Sequence, residues 1–370
     1  MTNNQPPEAS DQRPAARSQR PATNGQLPAA RERPFIIPIF IPHAGCPHRC
    51  VFCNQSLITG VKFRISANDI RHAVESFLKY KGARRDSVQI AFFGGNFLGI
   101  DIDEIKRKLA EAAVFVKAGR VNSIRFSTRP DTIDRPRLDM IKNFPITTVE
   151  LGVQSMDDRV LLETKRGHTS ADTQNAVQRL REFNYEIGVQ LMVGLPGDDP
   201  GRLLASAQRV AELKPDFIRI YPTVVVAGSP LAKLYKEGRY LPLPLKDAVA
   251  QVKELYRFFR RRNIQVVRMG LQATDDLEKD STILAGPYHP SFGHMVYSEI
   301  FSDMAVAALK SANSKENRVA LHVHPRSVSK MRGLNNGNIK KLRGKFHFQS
   351  IEIVPDERLK EDQLKVNALS

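Results

Sequence analysis

From Pro34 onward, short apolar runs alternate with longer segments whose apolar residues recur every three or four positions. The first pattern predicts strands and the second predicts amphipathic helices. PFIIPIFIP reads as a first buried strand beginning at Pro34. Ser66 stands where it can cap a helix reaching about Tyr80. Further strands are predicted at VQIAFFGG (Val88 to Gly95), SIRFS (Ser123 to Ser127), TVELGVQS (Thr148 to Ser155), EIGVQLMVGLPG (Glu186 to Gly197), FIRIYP (Phe217 to Pro222) and QVVRMG (Gln265 to Gly270). Helices are predicted between them, over about 103–117, 136–143, 171–183, 202–213 and 245–262. Several strand runs are apolar at nearly every position, as expected of parallel strands covered on both faces by helices.

Six or more alternations of strand and helix predict an α/β fold, a complete or partial barrel. In such folds chemistry sits on the loops that follow the C-terminal ends of the strands. Five unusual motifs fall there: the cysteines after strand one, Gly94-Gly95-Asn96 after strand two and Thr128-Arg129-Pro130-Asp131 after strand three. Gln154-Ser155 follows strand four, and Gly194 to Gly197 follow strand five.

The ends of the chain read differently. Residues 1–33 are rich in Pro, Ala, Asn, Gln and Arg and nearly devoid of large apolar side chains, the composition of a disordered tail. After about Ser281 the alternation fades. AGPYHPSFGHMVYSEIF (Ala285 to Phe301) reads as a compact loop leading into a helix. VALHVHP is strand-like, and SKMRGLNNGNIKKLRGKF is basic and punctuated by glycine, with a helix starting near Asn338. That stretch is loosely similar to a nucleic-acid-binding glycine loop before a helix, although it holds no true GxxG.

Charge and cysteine content narrow the chemistry. The formal net charge is +17 over 370 residues, which suggests a polyanionic partner such as RNA. No run of eighteen apolar residues occurs, so no membrane-spanning helix is expected. The chain has three cysteines, Cys46, Cys50 and Cys53, all within GCPHRCVFC. The odd count and the lack of a signal peptide argue against a disulfide framework and for a reduced, cytoplasmic setting. A [4Fe–4S] cluster normally takes four thiolates, so three would leave one iron with an open position. A zinc site completed by His43 or His48 is the rival on spacing, and unligated cysteines are the third reading.

The CxxxCxxC triad, with Phe52 before its last cysteine, the paired glycines and the alternating strands resemble the radical S-adenosylmethionine (SAM) superfamily. FFGGNF, STRPD, VELGVQS, KRGHT, VGLPGD and RIYPTVVVAGSPLAKLYKEGRY resemble the radical domain of the catalytic subunit of Elongator and its shorter bacterial relatives. They recur in order from about Pro34 to Tyr240. The resemblance implies a partial (β/α) TIM-type barrel over 34–280 and a small basic α+β accessory region over 281–370. It implies a [4Fe–4S] cluster on Cys46, Cys50 and Cys53, with SAM chelating the open iron. Reductive cleavage would yield a 5′-deoxyadenosyl radical that takes hydrogen from a substrate, an RNA such as tRNA. The electron would come from a donor such as flavodoxin or ferredoxin.

Within that resemblance, Gly94 and Gly95 would let the backbone receive the SAM amino group, and Asn96 belongs to the same contact. Phe52 and the Gly194–Gly197 loop would sit near the adenine, and Gln154 and Arg129 would make polar contacts to the cofactor. Three departures stand out. The spacer between the first two cysteines is shorter than Elongator's, Ser127 stands where Elongator often has Glu, and no acetyltransferase-like region follows the barrel. Other members of the superfamily oxidise porphyrinogens, so a small-molecule substrate is the alternative, and a zinc-stabilised RNA-binding protein is a second. Lys165, Arg166 and His168 read equally as a cofactor cluster or a capping loop. His289, His322 and His324 read as ordinary surface or core histidines, and Tyr221 as packing.

Overall fold

Strand and helix alternate along the chain much as the apolar pattern predicts. The computed structural model describes residues 34–41, 44–47, 49–54, 57, 65–81, 87–272, 277, 281–312 and 317–368. The tail over 1–33 and the zinc-ligand candidates His43 and His48 lie outside the described residues. The main strands are β1 (Phe35–Phe40), β2 (Val88–Phe93), β3 (Ser123–Thr128), β4 (Ile146–Gln154), β5 (Glu186–Val193) and β6 (Phe217–Pro222). A short strand, β7 (Val225–Val226), precedes β8 (Gln265–Met269). The seven long strands form one parallel sheet in the order β1-β2-β3-β4-β5-β6-β8, with β1 and β8 at its edges. It is a part-barrel with an open seam.

Helices return the chain between strands: α1 (Ala67–Lys79), α2 (Ile102–Lys117), α3 (Arg135–Ile141), α4 (Asp158–Glu163), α5 (Ser170–Glu182), α6 (Pro200–Glu212), α7 (Pro230–Lys236) and α8 (Leu245–Arg261). Their starts are locally encoded. Ser66 and Thr169 each form a reciprocal capping box with the aspartate three residues on, Asp101, Asp134, Asp157, Asp199 and Ser229 cap five more, and α8 starts after Pro244 without a side-chain cap. Each cap satisfies amide groups that would otherwise be orphaned and contributes about 1 kcal/mol. The short helices α4 and α7 are additions to the sequence reading; each is too brief to show a period.

The sheet's two faces differ, which corrects the expectation of strands apolar on both. Ile90, Phe92, Ile124, Phe126, Val149, Leu151, Ile187, Val189, Leu191, Ile218 and Ile220 form the outer face and pack with the helices in one core. The alternate residues Gln89, Arg125, Ser127, Glu150, Gln190 and Arg219 hydrogen-bond to one another across the inner face. Successive side chains of a strand point to opposite faces. A half-barrel therefore needs only one apolar face, and its interior is free to be polar. On the outer face Phe92, Phe97 and Phe126 stack at ring separations of 4.9 and 4.8 Å, bracing the loop that follows β2.

The C-terminal part has its own core. A short strand, β9 (Ile283–Ala285), pairs antiparallel with β7. The helix α9 (Phe292–Ala312) is longer than the sequence suggests and serves two cores. Phe292, Val296 and Ile300 join the barrel core, whereas Phe301, Ala305 and Leu309 pack in a second cluster. That cluster covers the sheet β11-β10-β12, made of β10 (Arg318–Val323), β11 (Ser350–Pro355) and β12 (Leu364–Ala368). Two helices, α10 (Val328–Arg332) and α11 (Gly337–Phe346), complete this α+β unit. His289 Nδ1 accepts from the Ser291 amide at 3.0 Å, and His324 Nδ1 from the Arg326 amide at 3.1 Å. His322 Nε2 pairs with Asn367 at 3.1 Å. The three histidines thus serve separate local bonds. No helix of the described residues is long and apolar enough to cross a membrane.

Candidate active site

All five motifs lie at the same end of the sheet, where β1 to β5 finish. The cysteine loop is anchored by three other segments. The Val51 amide donates to the Thr164 carbonyl at 3.1 Å, and the Val51 carbonyl accepts from Leu231 at 2.7 Å. Asn54 Nδ2 donates to the Ala227 carbonyl at 2.8 Å. A tight turn brings the Cys53 amide to the Cys50 carbonyl at 3.1 Å. None of the three cysteines is in a disulfide; Cys50 is buried, and Cys46 and Cys53 are half-buried.

Two arginines serve this loop. Arg166 Nη1 lies 3.0 Å from the Cys50 sulfur, and its Nη2 donates to the Gly152 carbonyl. Burial and the neighbouring Cys50 push the Cys46 thiol up, while Arg129 and Arg166 pull it down. Arg166 is thereby placed at the cysteines, a position 116 residues away in sequence that spacing could not reveal. Lys165, in the left-handed region at φ 52°, is exposed, and its amide closes α4. The KRGHT segment is therefore both a helix cap and a site element. Burial, with Arg166 and Arg129 nearby, pushes His168 down to about 2. This favours the neutral imidazole near pH 7.

The Gly94-Gly95-Asn96 turn has a structural role that the sequence reading missed. A Cβ on Gly95 would run into the Ile41 and Ala44 carbonyl oxygens, so this glycine lets the turn pack on the cysteine loop. Gly94 has φ 100°, which a side chain rarely tolerates. Asn96 is fully buried, and its amide is spent within the protein. Its Nδ2 donates to the Gly45 carbonyl at 2.8 Å. Its Oδ1 accepts from Thr128 Oγ1 at 2.6 Å, the Arg129 amide at 3.0 Å and Thr132 Oγ1 at 2.9 Å. Its side chain ties three loops together.

Arg129 and Gln154 do present buried polar atoms to the mouth. Arg129 grips Asp131 with Nε and Nη2, both at 2.9 Å, and its buried Nη1 has no partner among the described residues. Gln154 sits at φ 70° beside a register shift between β4 and β5. Such bulges re-aim side chains at sheet ends. Its buried Oε1 likewise has no partner among the described residues. Phe52 and Tyr221 pack against the cluster of Val160, Met192 and Leu195, which lines the other side of the mouth. Gly194 and Gly197 hold positive φ at 75° and 74°, and the Gly194 carbonyl accepts from Tyr240 at 2.7 Å. Ser127 Oγ accepts from Gln190 at 3.3 Å, inside the barrel rather than at its mouth.

Asp198 follows this glycine loop, and burial pushes it from 3.8 up to about 7. The folded state then holds a proton that the unfolded chain releases near 3.8. The stability gained from that proton is complete below the unfolded value and is lost as pH rises through about 7. Asp198→Asn is expected to be about 4 kcal/mol more stable than the parent at pH 8, with most of the difference gone near pH 4. Urea midpoints at the two pH values check this; an equal shift at both would contradict it.

The largest omission of the sequence reading is the charge network below the mouth. Glu150 is fully buried; it accepts from Arg125 Nη2 at 2.7 Å and from Arg219 Nη2 at 3.1 Å, and Arg219 Nε lies 2.7 Å away as an ion-pair contact. Gln190 Nε2 adds a bond at 3.2 Å. Burial alone would push Glu150 up; Arg219 and Arg125 reverse this and hold it below the ordinary carboxylate range. The rings of Phe93 and Phe217 cover the Arg219 and Arg125 guanidiniums at 5.4 and 5.1 Å.

Comparison with known proteins agrees with this geometry. The radical SAM superfamily model matches residues 40–210, and the radical SAM C-terminal domain model matches residues 215–302. The tRNA uridine(34) acetyltransferase of Dehalococcoides mccartyi (strain CBDB1) is 29% identical over 246 aligned residues, covering 57% of this chain and 54% of the relative. Elongator complex protein 3 of Drosophila melanogaster is 29% identical over 208 residues, covering 50% of this chain and 38% of that protein. The chain spans about half the length of the curated relatives it matches. The archaeal Methanocaldococcus infernus Elp3, solved with an N-terminal deletion, shares the fold at a TM-score of 0.59 and 21% identity, over 73% of this chain and 63% of that one. With its cysteine loop at the mouth of a parallel half-barrel and both domain models matched along most of its length, the chain belongs to the radical SAM superfamily of enzymes.

Proposed function

We propose that Cys46, Cys50 and Cys53 hold a [4Fe–4S] cluster, that SAM binds beside it, and that the enzyme modifies tRNA. The observation that carries this reading is a single loop presenting all three thiols at the mouth of the half-barrel, with Arg166 donating to Cys50. The donor set suits the group, since thiolates are the ordinary ligands of iron–sulfur clusters. Among the described residues no three His, Cys, Asp or Glu side chains are already gathered as a metal site. Cluster binding would therefore draw the sulfurs together, in keeping with the coupling of metal binding to local folding. Arg129 and Arg166 would offset the negative charge of the thiolates.

The unpartnered Arg129 Nη1 and Gln154 Oε1 fit the two ends of an amino acid, a carboxylate for the first and an ammonium for the second. Phe52, with the Val160, Met192 and Leu195 cluster, offers an apolar wall for an adenine, near the positive-φ turns at Gly194 and Gly197. When bound, the cluster and SAM supply one-electron cleavage of the sulfonium to a 5′-deoxyadenosyl radical, with the electron coming from flavodoxin or ferredoxin. The chain's own part is to hold these groups, orient the substrate and keep water away.

Three observations support tRNA as substrate: the net charge of +17, the exposed Lys340, Lys341, Arg343 and Lys345 on α11, and relatives named for tRNA modification. The test is 5′-deoxyadenosine formation by the anaerobically reconstituted enzyme with and without total tRNA. Output is expected to rise about tenfold with tRNA and to fall as salt is raised, since phosphate contacts release counterions. Equal output without RNA would transfer the reading to a small molecule such as a porphyrinogen.

A further inference from the structure

The inner face of the barrel carries more guanidinium than carboxylate. Arg219 and Arg268 are register partners on the adjacent parallel strands β6 and β8, so two cations stand side by side. Arg219 is compensated by Glu150 at 2.7 Å. Arg125 shares Glu150 and feels Glu186 as well. Arg268 has no ion pair: among the described residues no carboxylate lies within ion-pair distance, Glu150 reaches it only at longer range, and its Nε donates to the Gly270 carbonyl at 3.2 Å. Its position is half-buried on the edge strand, where the part-barrel is open. Tyr221, two residues beyond Arg219 on the same inner face, is a near neighbour of both arginines. A half-buried cation beside a second cation is costly unless something neutralises it.

We propose that Arg268, with Arg219 and Tyr221, binds an oxyanion of the substrate, a carboxylate or a phosphate, inside the half-barrel. This names the substrate class for the radical chemistry proposed above and rests on that reading for its meaning, though not for its test. The ligand set suits the task. Guanidiniums give paired, directional donors to an oxyanion, and a phenol adds a third. Arg219 is held rigid by Glu150 and the Phe93 ring, so little is lost in ordering it. Tyr221 packs on the same Val160, Met192 and Leu195 cluster as Phe52, which places the oxyanion site next to the cysteine loop. A substrate anchored there would present its remaining atoms toward the mouth.

The experiment measures thermal unfolding of the full chain, without SAM or reductant, titrated with sodium phosphate and separately with sodium succinate. Saturable stabilisation by at least one probe is expected in the parent. In Arg268→Gln the half-saturating concentration should rise about tenfold, the value of one charge-assisted hydrogen bond, and in Arg268→Lys by less. The exposed Arg358→Gln controls for the general basicity of the surface and should titrate like the parent. Saturation by phosphate alone assigns a phosphate-bearing substrate, and by succinate alone a carboxylic acid. Should Arg268→Gln fail to unfold cooperatively, Arg268→Lys and Tyr221→Phe carry the comparison, each expected to bind more weakly than the parent. Absence of saturable stabilisation in the parent, or parent-like titration by the Arg268 variants, overturns the proposal. Neither result bears on 5′-deoxyadenosine formation, so failure of the oxyanion site and failure of the radical reading are separately visible.

Discussion

Glu150→Gln is expected to lower the free energy of unfolding by about 3–5 kcal/mol, the usual cost of removing one partner from a buried ion pair. The substitution keeps the shape of the side chain, so packing changes little. It leaves Arg125 and Arg219, 7% and 13% exposed, facing a neutral amide. Neither arginine can shed its proton, and neither can swing to water from beneath the Phe217 and Phe93 rings. Both charges then remain buried without an ion-pair partner, Arg125 keeping only the more distant Glu186. Urea unfolding at pH 7 measures the effect. A midpoint within the scatter of the parent would show that water already reaches the network and that the barrel interior is not the closed environment described above. The exposed pair Lys341 and Glu299 provides the contrast. Glu299→Gln should leave the midpoint unchanged, because a solvated pair gains little from its attraction.

That network also shows where sequence reasoning stops. The strands, their order and the loops that follow them were legible because apolar runs and glycine-rich turns are local signals. The five loop motifs were legible for the same reason: polar and glycine residues interrupt an apolar strand at the same end each time. The inner face was misread. SIRFS and FIRIYP alternate visibly, with Arg125 and Arg219 on one face and Ile124, Phe126, Ile218 and Ile220 on the other. Yet the density of apolar residues suggested that both faces were covered. Glu150 sits 25 and 69 residues from its two arginines, and no periodic signal spans such distances.

The site was legible in part. The cysteines, Arg129 and Gln154 do gather at the mouth with Phe52. Asn96 has a structural role that the motif does not reveal, since a conspicuous amide beside paired glycines suggests only a ligand contact. Its two ends are instead consumed by Gly45, Thr128, Arg129 and Thr132. Arg166 was left undecided because its approach to Cys50 depends on the return of the chain after α4, a tertiary event.

Cys50→Ala is expected to abolish cluster assembly and lower SAM cleavage more than a hundredfold. With three thiols in the whole chain, losing one leaves two, and no other cysteine can replace it. Cys50 is also the thiol that Arg166 contacts and the buried one of the three, so its loss removes the innermost anchor. The fold itself should persist, because the loop keeps its anchors at Thr164, Ala227 and Leu231. A parent-like melting transition in the variant would separate loss of the cluster from loss of structure. The measurement that decides the matter is metal content together with 5′-deoxyadenosine formation, parent against Cys50→Ala, after anaerobic reconstitution. The parent should carry about four irons, absorb near ~400 nm and form 5′-deoxyadenosine, while the variant should do none of these. Zinc without iron in the parent, or iron and SAM cleavage retained by Cys50→Ala, would contradict the assignment of the three cysteines to a radical SAM cluster.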